Sequence, residues 1–220
     1  MVDEKDKEAR DALDTAIRAS GEENRFWAVR AITIQHYALF EQSLGDLFMW
    51  LSGTNPNVAG IIFFRLGAAV RRPILEKLFK YKLKNEYSSF RNSLIKSLQG
   101  LEADRNEIVH WNVVNRIESS VDGVVSANLA IEPPSLWPEA SPTKRWGINE
   151  MNAYQEKMMF YNLVIRQFTI IVLQRATAIG VPDDWHQSWR EIFLQPIIYP
   201  PPELHPAVRF RHKPEIPPQS

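Results

Sequence analysis

The sequence predicts a mainly α-helical protein, a bundle of about five helices with a small β-hairpin inserted near its middle. Apolar residues recur every three or four positions along most of the chain, which is the spacing of a helix with one buried face. This spacing gives way to strand-like alternation only within residues 116–131. Hydrophobic residues make up 45% and charged residues 24% of the chain, as in an ordinary globular protein, so a buried core is expected.

The N-terminal quarter of the chain predicts two helices. The first covers residues 3–19, which are rich in charge and carry a narrow apolar stripe, and Gly21 is expected to end it. The second runs from about residue 25 to residue 51 with a broad apolar face, so we expect it to be central. Gly53 and Pro56 then follow in the order that typically ends a helix.

Three further helices are predicted before the hairpin. Residues 58–70 are mostly apolar and favour a helix over a strand, and Pro73 is expected to begin the next helix, over residues 74–83. Basic residues are frequent in residues 71–84. Such runs are usually a solvated helix face, and the alternative is a rim that contacts RNA phosphates. A long helix then covers about residues 86–115.

The second half of the chain begins with the hairpin, whose two strands are expected on either side of Asp122-Gly123, a dipeptide typical of tight turns. Prolines in residues 133–147 predict an irregular crossing. A long helix over residues 149–179 and a short one over residues 183–194 follow. Methionine and aromatic residues line the long helix and are expected to be core residues.

The predicted domain organisation is a helical domain over residues 1–195, followed by a proline-rich tail over residues 196–220. The tail includes Pro200-Pro201-Pro202 and Pro217-Pro218, and such a segment is typically extended. Two alternatives are open for it: it packs on the surface of the domain, or it stays loose.

Composition excludes several classes of protein. The formal net charge is zero, which argues against broad non-specific nucleic-acid binding but leaves room for a local basic site. The absence of cysteine excludes disulfides and thiolate chemistry. Glycine-rich phosphate loops and the Gly-x-Ser-x-Gly pattern are absent, and we expect no cofactor and no metal. A charged N-terminus and short apolar runs predict a cytoplasmic protein without a membrane segment.

The candidate site lies in the long helix over residues 86–115. Arg105 falls where the helical spacing places an apolar residue, because it follows Leu101 by four positions and Leu98 by seven. A charge in such a position is costly unless it is paired or faces a cleft. Asn106 and His110 are four residues apart, so they share one face of the helix. Arginine suits phosphate binding and histidine suits proton transfer near neutral pH, which makes these residues candidates for catalysis.

Arg105-Asn106-x-x-x-His110 resembles the R-(N/D/H)-x-x-x-H signature of HEPN domains, and the resemblance extends over about residues 28–179. The resemblance implies a small all-α domain, a metal-independent endoribonuclease that acts as a toxin or defence effector, and a cleft shared by the two subunits of a homodimer. It implies His110 as general acid or base, Arg105 as the clamp on the phosphate and Asn106 as the orienting group. RNA is then the substrate, and an antitoxin is a candidate partner. Where the family often has a tyrosine, two residues after the histidine, this chain has Asn112.

The alternative hypothesis is a non-catalytic helical module that binds protein or RNA. The neutral charge, the aromatic-rich helices and the proline-rich tail favour it. In that case Arg105 is a structural ion-pair residue, and His110 is either a core histidine or a partner of the C-terminal dipole of its helix. Glu102, Asp104 and Glu107 pair with Arg105 or are solvated under either hypothesis. A looser pattern, Arg30-x5-His36, lacks the asparagine and is treated as background.

Overall fold

The computed structural model describes residues 4–119, 125–134, 145–177 and 183–209. These residues form seven helices and one two-stranded antiparallel sheet, so the predicted all-α class with a small β-hairpin is confirmed. In chain order the elements are α1 (Glu4–Ser52), α2 (Pro56–Arg65), α3 (Ala68–Leu83), α4 (Ser88–His110), β1 (Asn112–Ser119), β2 (Val125–Glu132), α5 (Ile148–Thr177), α6 (Asp183–Phe193) and α7 (Pro206–Arg209). Within the described ranges, no helix combines the length and hydropathy needed to cross a membrane.

Helix α1 is continuous over 49 residues, so the prediction that Gly21 ends a first helix was wrong. Glycine inside a helix costs about 1 kcal/mol relative to alanine, which good helix formers on either side offset. Ala19, Glu22 and Glu23 are such residues. A Cβ atom built on Gly21 would have no neighbour within 4 Å, so no close tertiary contact requires the chain to turn there.

The apolar run over residues 58–70 is largely helical, but it contains parts of two helices. Helix α2 ends at Arg65, and α3 begins at Ala68, directly after Gly67. Pro73 lies inside α3 and does not begin a helix, contrary to the prediction. The reason is that the first turn of α3 is already closed before Pro73. The backbone amides of Val70 and Arg71 both donate to the carbonyl of Gly67, at 2.9 and 3.0 Å. Proline then removes only one later donor from the helix.

Helix α4 ends at His110, and not near residue 115 as predicted, because β1 begins at Asn112. Val113 and Val114 are β-branched residues that favour a strand, and they pair with Ile131 and Ala130 of β2. The predicted Asp122-Gly123 turn lies outside the described residues. So do residues 135–144 of the predicted irregular crossing and residues 178–179 at the predicted end of the long helix.

The chain divides into two compact units, each built from separated stretches. The first unit is Met1–His36 with Asp104–Gln155, and the second is Tyr37–Ala103 with Glu156–Ser220. The first unit contains the hairpin and the end of α4. The second has an aromatic core around Phe168, whose ring centroid lies 4.6–5.5 Å from the rings of four neighbours. Those neighbours are Phe79, Tyr87, Phe90 and Phe193.

The proline-rich segment packs within the second unit as far as it is described, which is the first of the two alternatives for the tail. The backbone amide of Ile197 donates to Ser93 Oγ at 2.8 Å, and the rings of Tyr199 and Phe160 are 5.5 Å apart. Ala207 in α7 is buried. Residues 210–220 of the predicted tail lie outside the described residues.

His205 is central to the packing of this segment. Its ring contacts Phe160 and Trp189 edge-on, at centroid distances of 5.3 and 5.8 Å. Its Nδ1 accepts a hydrogen bond from the backbone amide of Ala207 at 3.1 Å, so the neutral imidazole fits the site. Burial among these residues lowers the pKa of His205 below its ordinary value.

We therefore expect the folded protein to lose stability as the pH falls below about 6.5, the ordinary histidine pKa. In that range the unfolded chain binds a proton at His205 that the folded chain does not, so unfolding is favoured. Urea denaturation of the wild type and of His205→Gln at pH values of about 7.5 and 5.5 measures this difference. The wild type should lose more free energy of unfolding between the two pH values than the variant. Equal losses would show that His205 does not contribute.

Candidate active site at the end of helix α4

The three motif residues lie in the last two turns of α4, in the first unit. Arg105 is half-buried, whereas Asn106 and His110 are exposed. Arg105 Nη1 donates a hydrogen bond to Asn106 Oδ1 at 3.1 Å. The structure therefore brings Arg105 and Asn106 into contact and leaves Asn106 and His110 one turn apart on an exposed face, where their spacing places them.

Each polar group has a definite capacity for further interactions. Asn106 accepts from Arg105 through its carbonyl oxygen, so its amide nitrogen is the end that can donate to a ligand. The His110 imidazole makes no hydrogen bond with any described residue, and both of its nitrogens are available. An imidazole and an amide donor on one exposed helix face, with a guanidinium bonded to that amide, form an arrangement suited to an anion that undergoes proton transfer.

Arg30 of α1 fixes the end of α4. It precedes Ile108, one of the two residues that it contacts there, by 78 positions in the sequence. Arg30 Nε donates to the Ile108 carbonyl and Nη2 to the Val109 carbonyl, both at 3.0 Å. Carbonyls in the last turn of a helix have no partner within the helix and carry partial negative charge, so a guanidinium stabilises them. Burial lowers the pKa of Arg30, but arginine starts so far above neutral pH that it stays charged.

Arg30 is the residue of the site that the sequence analysis missed. It follows the buried Phe26 by four positions and precedes the buried Tyr37 by seven, so it stands on the packing face of α1. The same reasoning that singled out Arg105 could have found it. Arg30 belongs to the site through its contact with α4, and the looser Arg30-x5-His36 pattern has no part in that contact.

The segment of α1 that carries Arg30 is itself held in place. Gln155 Nε2 donates to Thr33 Oγ1 at 2.8 Å and to the Val29 carbonyl at 3.2 Å. Thr33 Oγ1 in turn donates to the Val29 carbonyl at 2.7 Å. These bonds join α5 to the turn of α1 that contains Arg30, so the guanidinium is presented from a fixed position.

Glu107 and Glu102 have partners that the sequence did not indicate. Glu107 Oε2 accepts the indole N–H of Trp146 at 3.0 Å. The backbone of Trp146 pairs with Ile131 of β2 through two bonds of 3.0 Å, which connects α4 to the hairpin. Glu102, in the second unit, pairs with Arg72 at 3.1 Å. These contacts give Glu102 and Glu107 structural roles beside the motif.

A small cavity in the second unit lies close to that ion pair. Its volume is about 10 Å³, enough for roughly one water molecule. Arg71 pairs with Glu41 and Arg72 with Glu102 along its wall, so its charges neutralise each other. A cavity of this size and charge does not suit a nucleotide or a metabolite.

The site is therefore defined by the residues at the end of α4. Among the described residues, no three His, Asp or Glu side chains group together as they would around a metal ion. Comparison of this chain with protein-family models, curated proteins and solved structures gives no match.

We expect Arg30→Ala to destabilise the protein by about 2 kcal/mol or more, because it removes two charge-assisted hydrogen bonds from a helix end. Arg30→Lys should recover part of this loss, since it restores the charge without the two-pronged geometry. The matched control is Arg25→Ala, which removes an exposed arginine from the same helix and should change stability by less than about 0.5 kcal/mol. Urea denaturation of the three variants is the measurement. Equal effects of Arg30→Ala and Arg25→Ala would refute the role of Arg30.

Proposed function

We propose that this chain is a HEPN-like, metal-independent endoribonuclease that acts as a cytoplasmic toxin or defence effector. The observation that carries the proposal is the Arg105–Asn106 hydrogen bond on the same helix end as the exposed His110. A nuclease site needs a phosphate ligand and a proton carrier together, and this helix end supplies both. The resemblance of Arg105-Asn106-x-x-x-His110 to the HEPN signature gives the reaction class.

The proposed reaction is an internal transfer within RNA. A base removes the proton of the 2′-hydroxyl, and the 2′-oxygen attacks the adjacent phosphorus. The bond from phosphorus to the 5′-oxygen breaks, and an acid gives that oxygen a proton. The products are a 2′,3′-cyclic phosphate and a free 5′-hydroxyl. Histidine is suited to the base and acid steps because its ordinary pKa is about 6.5.

The proposal assigns one role to each of the three residues. His110 is exposed and its imidazole can exchange a proton with solvent between turnovers. Arg105 holds the phosphate and stabilises the charge that develops on its oxygens. Asn106 accepts a bond from Arg105 and directs its amide nitrogen to a phosphate oxygen or to His110. Arg30 keeps the helix end in place and is a positioning residue.

The proposal includes a homodimer, because one chain supplies one such histidine and the reaction uses both a base and an acid. In a two-fold dimer each subunit would present the same helix end to the other. The two copies of His110 would then divide the base and acid steps between them. An antitoxin that covers this helix end is the partner expected of a toxin.

The test is cleavage of structured and unstructured RNAs by purified protein in the presence of EDTA. We expect His110→Ala and Arg105→Ala to lower the cleavage rate by about 100-fold or more, because each removes a group that acts in the transition state. Arg166→Ala is the matched control, since Arg166 is exposed on α5 outside the site. Products should carry 2′,3′-cyclic phosphate ends. Melting temperatures of the variants separate lost chemistry from lost folding.

Equal rates for wild type, His110→Ala and Arg105→Ala would assign any cleavage to a contaminant. Absence of cleavage by the wild type across the RNAs would remove the catalytic proposal. Toxicity on induction in a bacterium, abolished by His110→Ala, would support the toxin role independently of the choice of RNA.

A second candidate function is a non-catalytic interaction module, and the outer face of α2 favours it. Four large apolar residues of this 10-residue helix are 41–66% exposed: Val58, Ile61, Ile62 and Phe64. Ile61 and Ile62 follow Val58 by three and four positions, so they lie beside it on one apolar surface. Large exposed apolar surfaces mark sites of protein association.

The simplest occupant of this α2 face is a second copy of the chain, whose single-chain mass is 25.4 kDa. In that case the wild type is a dimer by light scattering after size exclusion, and Ile61→Asp should reduce it to a monomer. Burial of a charge at an apolar interface is costly, which is the reason for the expected loss. Tyr81→Asp is the control, because Tyr81 is 78% exposed on α3. A monomeric wild type, or a dimer that survives Ile61→Asp, would contradict this interface.

A further inference from the structure

Trp27 is an exposed aromatic residue in the part of α1 that contacts the end of α4. It retains 41% of its surface, whereas the preceding residue, Phe26, is 1% exposed. A tryptophan side chain has on the order of 150–250 Å² of surface to bury, so roughly 60–100 Å² remains open here. The packing of the chain leaves this area uncovered.

Arg30 connects Trp27 to the candidate active site. The guanidinium carbon of Arg30 lies over the Trp27 ring, 5.4 Å from its centroid. The nitrogens of the same guanidinium lie 3.0 Å from the Ile108 and Val109 carbonyl oxygens. With a guanidinium C–N bond of about 1.3 Å, the ring centre is no farther than about 10 Å from those oxygens. Trp27 is therefore a close neighbour of the turn that ends in His110.

The ring of Trp27 also contacts two other side chains of α1. Its indole N–H donates to Glu23 Oε1 at 3.4 Å, one turn earlier in α1. The ring of Phe26 meets it edge-on at 5.7 Å, with an interplanar angle of 84°. An exposed ring with a cation over it is a flat surface that can stack on another π system.

From this geometry we propose that Trp27 is a stacking platform for a nucleobase of single-stranded RNA, next to the phosphate that Arg105 and His110 would hold. The inference rests on the proposed function, because it assigns the substrate class to the same site. Bases in a duplex are stacked on one another and do not offer a free face, whereas unpaired bases do. Trp27 thus selects single strands, loops or bulges over paired RNA.

The binding test uses fluorescently labelled single-stranded oligonucleotides with 2′-O-methyl riboses, which lack the nucleophile and are not cleaved. We expect Trp27→Ala to weaken binding in fluorescence anisotropy by about 5- to 150-fold, the loss typical of one stacked base. Trp27→Phe keeps a ring and should retain most of the affinity. Tyr81→Ala, which removes an exposed ring from the second unit, is the matched control and should bind as the wild type does.

Unchanged affinity in Trp27→Ala would overturn the inference, and so would a wild type that binds no single-stranded oligonucleotide or binds a duplex of the same sequence equally well. Failure of the proposed function gives a different result. In that case binding depends on Trp27, but the corresponding RNA with free 2′-hydroxyls is not cleaved. If Trp27→Ala proves less stable than the wild type, Trp27→Phe and Trp27→Leu decide between ring stacking and simple packing, since only Trp27→Phe keeps a ring that can stack.

Discussion

The guanidinium of Arg30 on the last carbonyls of α4 is the interaction on which the candidate site depends. It satisfies two acceptors that the helix leaves without partners, and it places a positive charge at the negative end of the helix dipole. It also joins α1 to α4, which are far apart in sequence. Because the acceptors are backbone atoms, the contact holds the last turn of α4 against α1 without using the side chains of that turn.

That contact uses only backbone atoms of the last turn, so it does not occupy the side chains there. A helix end is often stabilised by a cationic side chain in its own last turn, and His110 is the basic residue in that position. Here Arg30 supplies the charge from α1 instead. His110 itself is exposed. Glu107 is engaged by Trp146, which ties the preceding turn to the hairpin region. The exposed histidine thus belongs to a helix turn that two tertiary contacts hold in place.

The class of the fold could be predicted from the sequence because apolar spacing records which face of each helix is buried. The residues at which elements end were harder to predict, because they depend on small competing free energies. The helix propensity lost at Gly21 is too small to end α1 there. The pairing of Val113 with β2 favours a strand, so α4 ends earlier than predicted. Spacing predicted that Arg105, Asn106 and His110 lie on one helix, and all three lie in α4. The contacts of Arg30 could not be predicted from the sequence. Its acceptors are backbone carbonyls, which every residue has, and they lie 78 or more positions away. The position of Arg30 on a packing face was its only signal.

The balance of charge also bears on how the proposed site would bind RNA. The chain has 26 basic and 26 acidic residues, so long-range attraction to the phosphate backbone is weak. Arg30 is committed to the carbonyls of α4, and Arg105 is half-buried and bonded to Asn106. Two arginines near one helix end therefore provide at most one direct phosphate ligand. In such a site affinity would have to come from contacts with bases, and among the described residues of the first unit the exposed indole of Trp27 is an aromatic group that could provide them.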